Sequence, residues 1–529
     1  MTRRLSVVAL ALLCAASLLH LSAGASRLLV DDDIEKKKKK HKKKHKKGGA
    51  GDLAYGIMLD AGSGSTKGAV WSWDPCYTTI PKLTLEAKLS RLPALSSFAT
   101  VEGGDPHAAG QSLLPALDEA KSAIPEDKWG SAPVFLSSTA GMRLIPEKDR
   151  ALILRVVNIW LADPDNHPFL YGTRPPFTNG EFWAQTISGD DEGAYGFLDL
   201  NYLMGRLVGQ EDDEPEEINE DDPDNDHIER QVAKKRTALD AFGWVDTGGA
   251  SLQVSFAPQE SSILGNVYPV SPISFTHITN STGSQYASAI VYSHSWNGLG
   301  QREARKRMQL GLSKSARVGL PSERFSGGHI FSDPCLLQGQ VQVETYELSP
   351  GRFENYTYVG SGDFYMCQWF VDDFVLNLRE ECLLAPCAAA GVYVPACGSV
   401  VFLGFRKMLE LARPLGLATK HGAWAPDSYD DIAALVHQVC TMPAEEAHAM
   451  GIEDDYRTES GPCFRGVLML RFLQTMGSPK IIFSDRIDND KFTYARGAML
   501  WNIVTQDQSI KRVKGWPYCD QADARIAME

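Results

Sequence analysis

Tyr55-Gly56-Ile57-Met58-Leu59 runs into Asp60-Ala61-Gly62-Ser63-Gly64-Ser65-Thr66-Lys67 and out again through the mostly apolar stretch 68–73. Much later, Phe242-Gly243-Trp244-Val245 runs into Asp246-Thr247-Gly248-Gly249-Ala250-Ser251 and leaves through 252–256. Each copy reads as strand, aspartate, glycine-rich turn, strand. A turn of glycine and serine lets successive backbone N–H groups point at one anion without Cβ interference. An aspartate at the strand end is placed to hold a metal, usually through water. Two such loops facing each other would clamp a phosphate chain from both sides. One copy alone could be an ordinary hairpin; the repetition in the same context carries the reading.

Two further segments lie between the copies. Residues 134–136 end in Ser137-Ser138-Thr139-Ala140-Gly141-Met142-Arg143, a strand, a hydroxyl-rich turn and a helix start. Read alone, it is explained by helix capping. Ile187-Ser188-Gly189-Asp190-Asp191-Glu192-Gly193-Ala194-Tyr195-Gly196 sets three carboxylates before an apolar helix. Acidic residues favour a helix N-terminus, and the segment alone does not say which of the three has another task. Elsewhere short apolar strands (55–59, 69–73, 133–136) alternate with amphipathic helices such as 146–162, an α/β pattern.

The chain has 529 residues, more than one core usually supports. Its formal net charge is −13 despite a tract bounded by Lys36 and Lys47 that holds ten lysines and two histidines. A body this acidic is a poor nucleic-acid binder, because phosphate contacts need cationic surface. Arg3 and Arg4, the apolar run 5–21 and Ala23-Gly24-Ala25 read as a signal peptide over 1–25. Residues 26–52 read as a disordered Lys/His-rich linker, either a spacer or a weak contact to an anionic surface. Residues 211–226 carry eleven acidic side chains and two prolines and read as an exposed loop. No later stretch is apolar enough for a transmembrane span, so the mature chain is expected in the secretory pathway, secreted or in an organelle lumen. Nine cysteines follow Cys14, eight of them after residue 330, which suggests a disulfide framework with an odd thiol left over. Sequons at Asn280 and Asn355 fit the same compartment.

In order and spacing, the four segments resemble the conserved regions of the ecto-nucleoside triphosphate diphosphohydrolase (apyrase) family, from about residue 53 to 501. Weaker echoes follow at Asp333-Pro334-Cys335-Leu336, at Gly360-Ser361-Gly362-Asp363-Phe364 leading to Cys367, at Cys382 and Cys387, and at Gly404-Phe405. The resemblance implies a two-lobed, RNase H-like (actin-like) α/β fold with the active site in the cleft. The lobes would be 53–190, completed by 485–519, and 191–484. The helical-looking stretch 492–504 would return to the first lobe, and Cys382 and Cys387 would form a short-loop bridge.

The resemblance also implies roles. Ser63, Gly64, Ser65, Thr66 and Lys67, with Gly248, Gly249 and Ala250, would bind the phosphates of a nucleotide. Asp60, Thr139, Asp246 and Gln253 would hold Mg2+ or Ca2+, largely through water. Glu192 would be the general base and Ser251 would orient the attacking water. Phe405 and Arg406 could stack on the nucleobase, although core packing suits Phe405 better. Tyr494-Ala495-Arg496-Gly497 stands where the family has a tryptophan-centred pattern. The expected activity is release of phosphate from nucleoside tri- or diphosphates. Paired aspartate–glycine loops also occur in exopolyphosphatases and in cytoskeletal or chaperone ATPases. The leader, sequons and cysteines argue against the cytosolic ATPases, and the presence of Glu192 and Ser251 argues against a non-catalytic nucleotide-binding protein.

Overall fold

The first hairpin forms where the repeated motif predicts it, from β1 (Ala54–Ala61) and β2 (Thr66–Trp73), paired antiparallel. The computed structural model describes residues 53–77, 80–172, 183–207, 241–258, 267–269, 276–280, 283–287, 290–316, 324–325, 328–349, 351–418, 422–452, 461–487 and 490–511. The leader, the lysine/histidine tract, the acidic stretch 211–226 and Cys519 lie outside them.

With β3 (Thr84–Leu92), β4 (Val134–Ser138) and β5 (Ala184–Thr186), the hairpin makes a five-stranded sheet in the order β3-β2-β1-β4-β5. Alternation along its strands sorts side chains to two faces. Ile57, Leu59, Val134 and Leu136 share a core with Leu117 of α1 (Leu114–Ala123). The same core takes in Ile153, Val157 and Leu161 of α3 (Glu147–Ala162). Met58 and Phe135 point the other way. The short α2 (Ala140–Leu144) leaves the end of β4 directly.

The second hairpin is β6 (Gly243–Thr247) and β7 (Ser251–Phe256). Strands continue as β8 (Val267–Pro269), a hairpin of β9 (Thr276–Asn280) and β10 (Gly283–Ala287), and β11 (Ile290–Asn297). Then come β12 (Arg324–Phe325), β13 (Gly328–Asp333), β14 (Val341–Ser349), β15 (Arg352–Gly360), β16 (Val401–Gly404) and β17 (Lys480–Phe483). A six-stranded sheet runs β17-β16-β6-β7-β11-β8, and a third sheet β12-β13-β15-β14. Val245, Val254 and Phe402 face the largest core, shared with α8 (Tyr429–Thr441) and α10 (Pro462–Thr475). The remaining helices are α4 (Gly189–Leu203), α5 (Gln301–Ala316), α6 (Phe364–Phe370), α7 (Arg406–Ala412), α9 (Ala444–Ala449) and α11 (Tyr494–Lys511). Among the described residues no helix is long and apolar enough to cross a membrane.

Between the two large sheets lies a core that holds Met58 and Phe135 from one, Trp244 and Leu403 from the other, and Tyr195, Leu198, Met499 and Leu500 from α4 and α11. α4 begins with a reciprocal cap: the Ser188 hydroxyl accepts from the Asp191 N–H at 2.9 Å, and the Asp191 carboxylate accepts from the Ser188 N–H. The helix lies flat on the second sheet because its glycines leave room. A Cβ on Gly193 would come within 2.5 Å of the Ser255 and Ser293 hydroxyls, and one on Gly196 within 2.4 Å of the Trp244 ring. The expected lobe boundary between 190 and 191 therefore falls inside a continuous helix. α11 is joined to α4 by the buried pair Arg496–Asp199, and the Arg496 guanidinium also sits 5.4 Å from the Trp71 ring centroid. Pairs this dry cost about 3–5 kcal/mol to break from one side.

The cysteines pair as Cys335–Cys367, Cys382–Cys387 and Cys440–Cys463; Cys76 is also disulfide-bonded, and buried Cys397 is the free thiol among the described residues. Asp333, next to the first bridge, is fully buried against Arg305 at 2.5 Å. That motif is therefore structural.

Candidate active site

The two glycine-rich turns are built alike. In the first, the Gly62 N–H donates to the Ser65 carbonyl at 3.1 Å, and Asp60 stands opposite Lys67. In the second, the Gly248 N–H donates to the Ser251 carbonyl at 3.0 Å, and Asp246 stands opposite Gln253. Position for position, Asp60, Gly62, Ser65 and Lys67 answer to Asp246, Gly248, Ser251 and Gln253. Directly opposed residues share a face of the pair, so each aspartate has a polar neighbour across the strand.

The turns meet. A Cβ on Gly249 would lie 2.9 Å from the Ser63 hydroxyl, so only glycine lets the loops approach this closely. The carbonyls of the second turn are drawn away from that gap. Gly248 O accepts from the Gln301 N–H at 2.9 Å, Gly249 O from Arg302 at 3.0 Å, and Ala250 O from Gly298 at 2.7 Å. The N–H groups of Ser63, Gly64, Gly249 and Ala250 donate to no other group among the described residues. Outward carbonyls and free inward amides are what an anion-binding turn requires. Thr66 departs from the expected set: it is fully buried and its hydroxyl donates to the Pro93 carbonyl at 2.9 Å, so that hydroxyl is not available to a phosphate. Lys67 is exposed and close enough to favour the ionised form of both aspartates.

Asp60, Asp246 and Glu192 converge. Burial raises the pKa of Asp60, while Lys67 and the Tyr494 hydroxyl hold it back. Burial also raises Asp246, opposed by the Thr247 backbone, Arg406 and Lys67, with Asp60 adding to the rise. Glu192 is pushed up to about 7, first by burial; Arg143 pulls it down, and Asp60 and Asp246 push it further up. Burial is the first cause in all three, because it disfavours the charged form of a carboxyl group.

Around Glu192 the hydrogen bonds are specific. Arg143 Nη2 donates to Glu192 Oε2 at 2.9 Å and to Ser251 Oγ at 3.3 Å. Gln253 Nε2 donates to Ser251 Oγ at 2.5 Å, to Ser295 Oγ at 3.1 Å and to Glu192 Oε2 at 3.3 Å. Arg143 is itself held by Ile187 O at 3.1 Å and Asn297 Oδ1 at 3.2 Å. Glu192 Oε1 is left without a hydrogen bond among the described residues. Ser251 Oγ already accepts twice, so its own hydrogen points elsewhere. Thr139 occupies the N-cap position of α2 without a side-chain capping bond, and its N–H donates to the Ala61 carbonyl at 3.2 Å, which sets it beside the first hairpin.

Neighbouring carboxylates have other work. Asp190 accepts from the Ser295 N–H at 2.9 Å, and Asp191 is the capping partner of Ser188. Neither simply faces solvent. Phe405 is fully buried, edge-on to Phe472, so it packs the core and offers no face to a base; Arg406 is half-exposed and reaches Glu410 at 3.5 Å. Two residues escaped the sequence reading. Arg143 stood at the end of the hydroxyl-rich turn without a task, and Tyr494 donates its hydroxyl to Asp60 across 434 positions of chain. No spacing rule signals a contact of that range.

Among the described residues no three His, Cys, Asp or Glu side chains cluster as a metal cage. Asp60 and Asp246 supply two hard oxygen donors, which suits a cation that keeps most of its own waters, as Mg2+ does. The residues thus fit a hard divalent ion.

Comparisons with known proteins show the chain's relatives. The chain is 26% identical to ectonucleoside triphosphate diphosphohydrolase 1 of Mus musculus, over 87% of this chain and 83% of the relative. It is 29% identical to a Golgi apyrase of Saccharomyces cerevisiae over 64% of this chain, and the match spans about half (50%) of that relative's length. A guanosine-diphosphatase of Schizosaccharomyces pombe is 25% identical over 86% of this chain and 74% of its own. The crystal structure of a nucleoside triphosphate hydrolase from Neospora caninum superposes with a TM-score of 0.57 at 18% identity, covering 94% of this chain and 98% of that one, which shows a shared fold. The family profile matches residues 49–514, and the chain belongs to the GDA1/CD39 (nucleoside phosphatase) family.

Proposed function

We propose that the chain hydrolyses the terminal phosphoanhydride bond of nucleoside tri- and diphosphates, with Glu192 as general base. The arrangement that carries this is the one around Glu192 and Ser251. Arg143 and Gln253 occupy Glu192 Oε2 and donate to Ser251 Oγ, which leaves Glu192 Oε1 and the Ser251 hydrogen for one water. Ser251 donates to the water oxygen, and Glu192 takes a proton as the water oxygen bonds to phosphorus and the bridging oxygen leaves. The amides of 63–64 and 249–250 hold the phosphate chain in line, since phosphoryl transfer asks mainly for positioning and charge neutralisation. Asp60 and Asp246, with Thr139 and Gln253, would hold Mg2+ or Ca2+ through water. When bound, that ion supplies charge neutralisation at the phosphate oxygens.

Lumenal residence in the secretory pathway, after removal of 1–25, is part of the same proposal. It is supported by the disulfides and by the relatives named Golgi apyrase. The lobes are proposed to meet at the paired turns, with the contact between Ser63 and Gly249 at the floor of the cleft.

The test is phosphate release from ATP, ADP, GDP and long-chain polyphosphate, each with Mg2+, Ca2+ and EDTA. Cleavage of nucleotides that needs the divalent ion supports the reading. Cleavage of polyphosphate alone, or a rate unchanged in EDTA, overturns it.

A further inference from the structure

The third sheet presents an apolar outer face with a modification signal at its centre. Along β15, Tyr356 and Tyr358 point inward, while Phe353, Asn355, Thr357 and Val359 point out. Register brings Thr345 opposite Asn355, Val343 opposite Thr357 and Val341 opposite Val359, with Ile330 of β13 beside Thr357. The outer face is therefore Ile330, Val341, Val343, Phe353 and Val359 around Asn355, with Glu347 at one end. Phe353 is 63% exposed, Val343 57% and Val341 52%. β14 is also the edge strand of this sheet. An uncovered apolar face at a sheet edge invites pairing with a second chain.

Asn355-Tyr356-Thr357 is an acceptor triplet for N-linked sugar, and both residues that the transfer reads lie on this outward face. The Thr345 hydroxyl donates to Asn355 Oδ1 at 2.8 Å. That bond fixes the amide plane and leaves Nδ2, which donates to no group among the described residues, directed outward. Phe353 sits two positions before Asn355 on the same face, about 7 Å along the strand, where the C–H face of a pyranose attached to Asn355 can lie on its ring.

We propose that Asn355 carries an N-linked oligosaccharide whose first sugars cover the apolar outer face of β13, β15 and β14. In the transfer, Asn355 Nδ2 bonds to C1 of a lipid-pyrophosphate-linked oligosaccharide. The C1–O bond to the pyrophosphate breaks, and the amide proton leaves with the lipid pyrophosphate. The inference rests on the lumenal residence proposed above, because the donor is found on that side of the membrane. The sugar's task is to keep the sheet from self-association; it has no part in turnover.

The experiment expresses the full chain in a eukaryotic secretory host and recovers the translocated fraction. The mass of the peptide containing Asn355 is read before and after digestion with an amidase that removes N-linked glycans and leaves aspartate. Sugar at Asn355 is expected, and Asn355→Gln should lose it, shift toward larger species on gel filtration and keep the parent's turnover per monomer. Adding Val341→Thr and Val343→Thr to Asn355→Gln should restore the monomer. A translocated chain with bare Asn355 overturns the inference and leaves the lumenal reading standing. A chain retained in the cytosol overturns both. An Asn355→Gln protein that stays as monomeric as the glycosylated parent overturns the covering role.

Discussion

Arg143 Nη2 sits 2.9 Å from Glu192 Oε2 and 3.3 Å from Ser251 Oγ, so one guanidinium at the end of a five-residue helix links the proposed base to the residue proposed to orient its water. The arginine keeps an otherwise desolvated carboxylate from holding its proton more tightly still. Replacing Arg143 by methionine should raise the Glu192 pKa above its present value of about 7. The acid limb of the kcat/KM profile should then move to higher pH, and activity at neutral pH should fall about tenfold for each pH unit the limb moves. Partial recovery in alkaline buffer is the expected signature. A uniform loss at every pH would mean Arg143 serves structure alone.

Tyr494 gives its hydroxyl to Asp60, and two residues on, Arg496 grips Asp199 of the helix that carries Glu192. α11 thereby ties Asp60 to the helix that carries Glu192. Tyr494→Phe keeps the ring and removes the donor. Outer partners of metal ligands typically matter 10–100-fold, so Mn2+ affinity, measured by calorimetry without nucleotide, should fall by about tenfold while melting temperature changes little. Unchanged Mn2+ affinity would remove Tyr494 from the site.

Asp190 and Asp191 separate capping from chemistry. Asp191→Asn weakens the reciprocal cap with Ser188 and should cost about 1 kcal/mol of stability. Asp190→Asn alters the acceptor for the Ser295 N–H, on the strand that abuts Glu192. Both should lower the melting temperature and leave kcat within a few-fold of the parent. A dead Asp191→Asn enzyme with normal stability would mean the wrong carboxylate has been named.

Glu192 also leaves a mark on stability. Its folded pKa of about 7 lies above the ordinary 4.5. The metal-free folded protein therefore holds a proton that the unfolded chain has released. The stabilisation from this group is complete below pH 4.5 and is lost as pH rises through 7, on the order of 3 kcal/mol in all. Glu192→Gln removes that dependence. In EDTA, the melting temperature of Glu192→Gln relative to the parent should climb between pH 4.5 and 7 and level off above. A difference that is flat with pH would contradict the burial assigned to this carboxylate.

Much of this was legible in the sequence. The two hairpins, their turns and their strand ends form where the Asp60 and Asp246 motifs place them, because a turn is a local structure and its glycines announce it. The helix start at the acidic triplet is equally local, and the resemblance implied the Cys382–Cys387 bridge. Contacts made by distant segments were not legible. Nothing near Tyr494 says that its hydroxyl meets Asp60, and nothing in the acidic triplet says that Glu192 is the one that meets Arg143 and Gln253. Gly193 and Gly196 decide that orientation by letting α4 lie against Ser255 and Trp244, which only the packed structure displays. The Thr66 hydroxyl went astray for the same reason: its motif borders the site, but the side chain is buried and bonds to Pro93.

The central claim is that Glu192 takes the proton of the attacking water while the paired turns hold the phosphates. Turnover of a nucleoside triphosphate by Glu192→Gln and parent, at saturating Mg2+ and with nucleotide affinity measured on both, tests it most directly. A positioned base contributes about 10²- to 10⁴-fold, so kcat should fall by that factor while affinity stays at or above the parent's. A Glu192→Gln enzyme that turns over as the parent does would contradict the account.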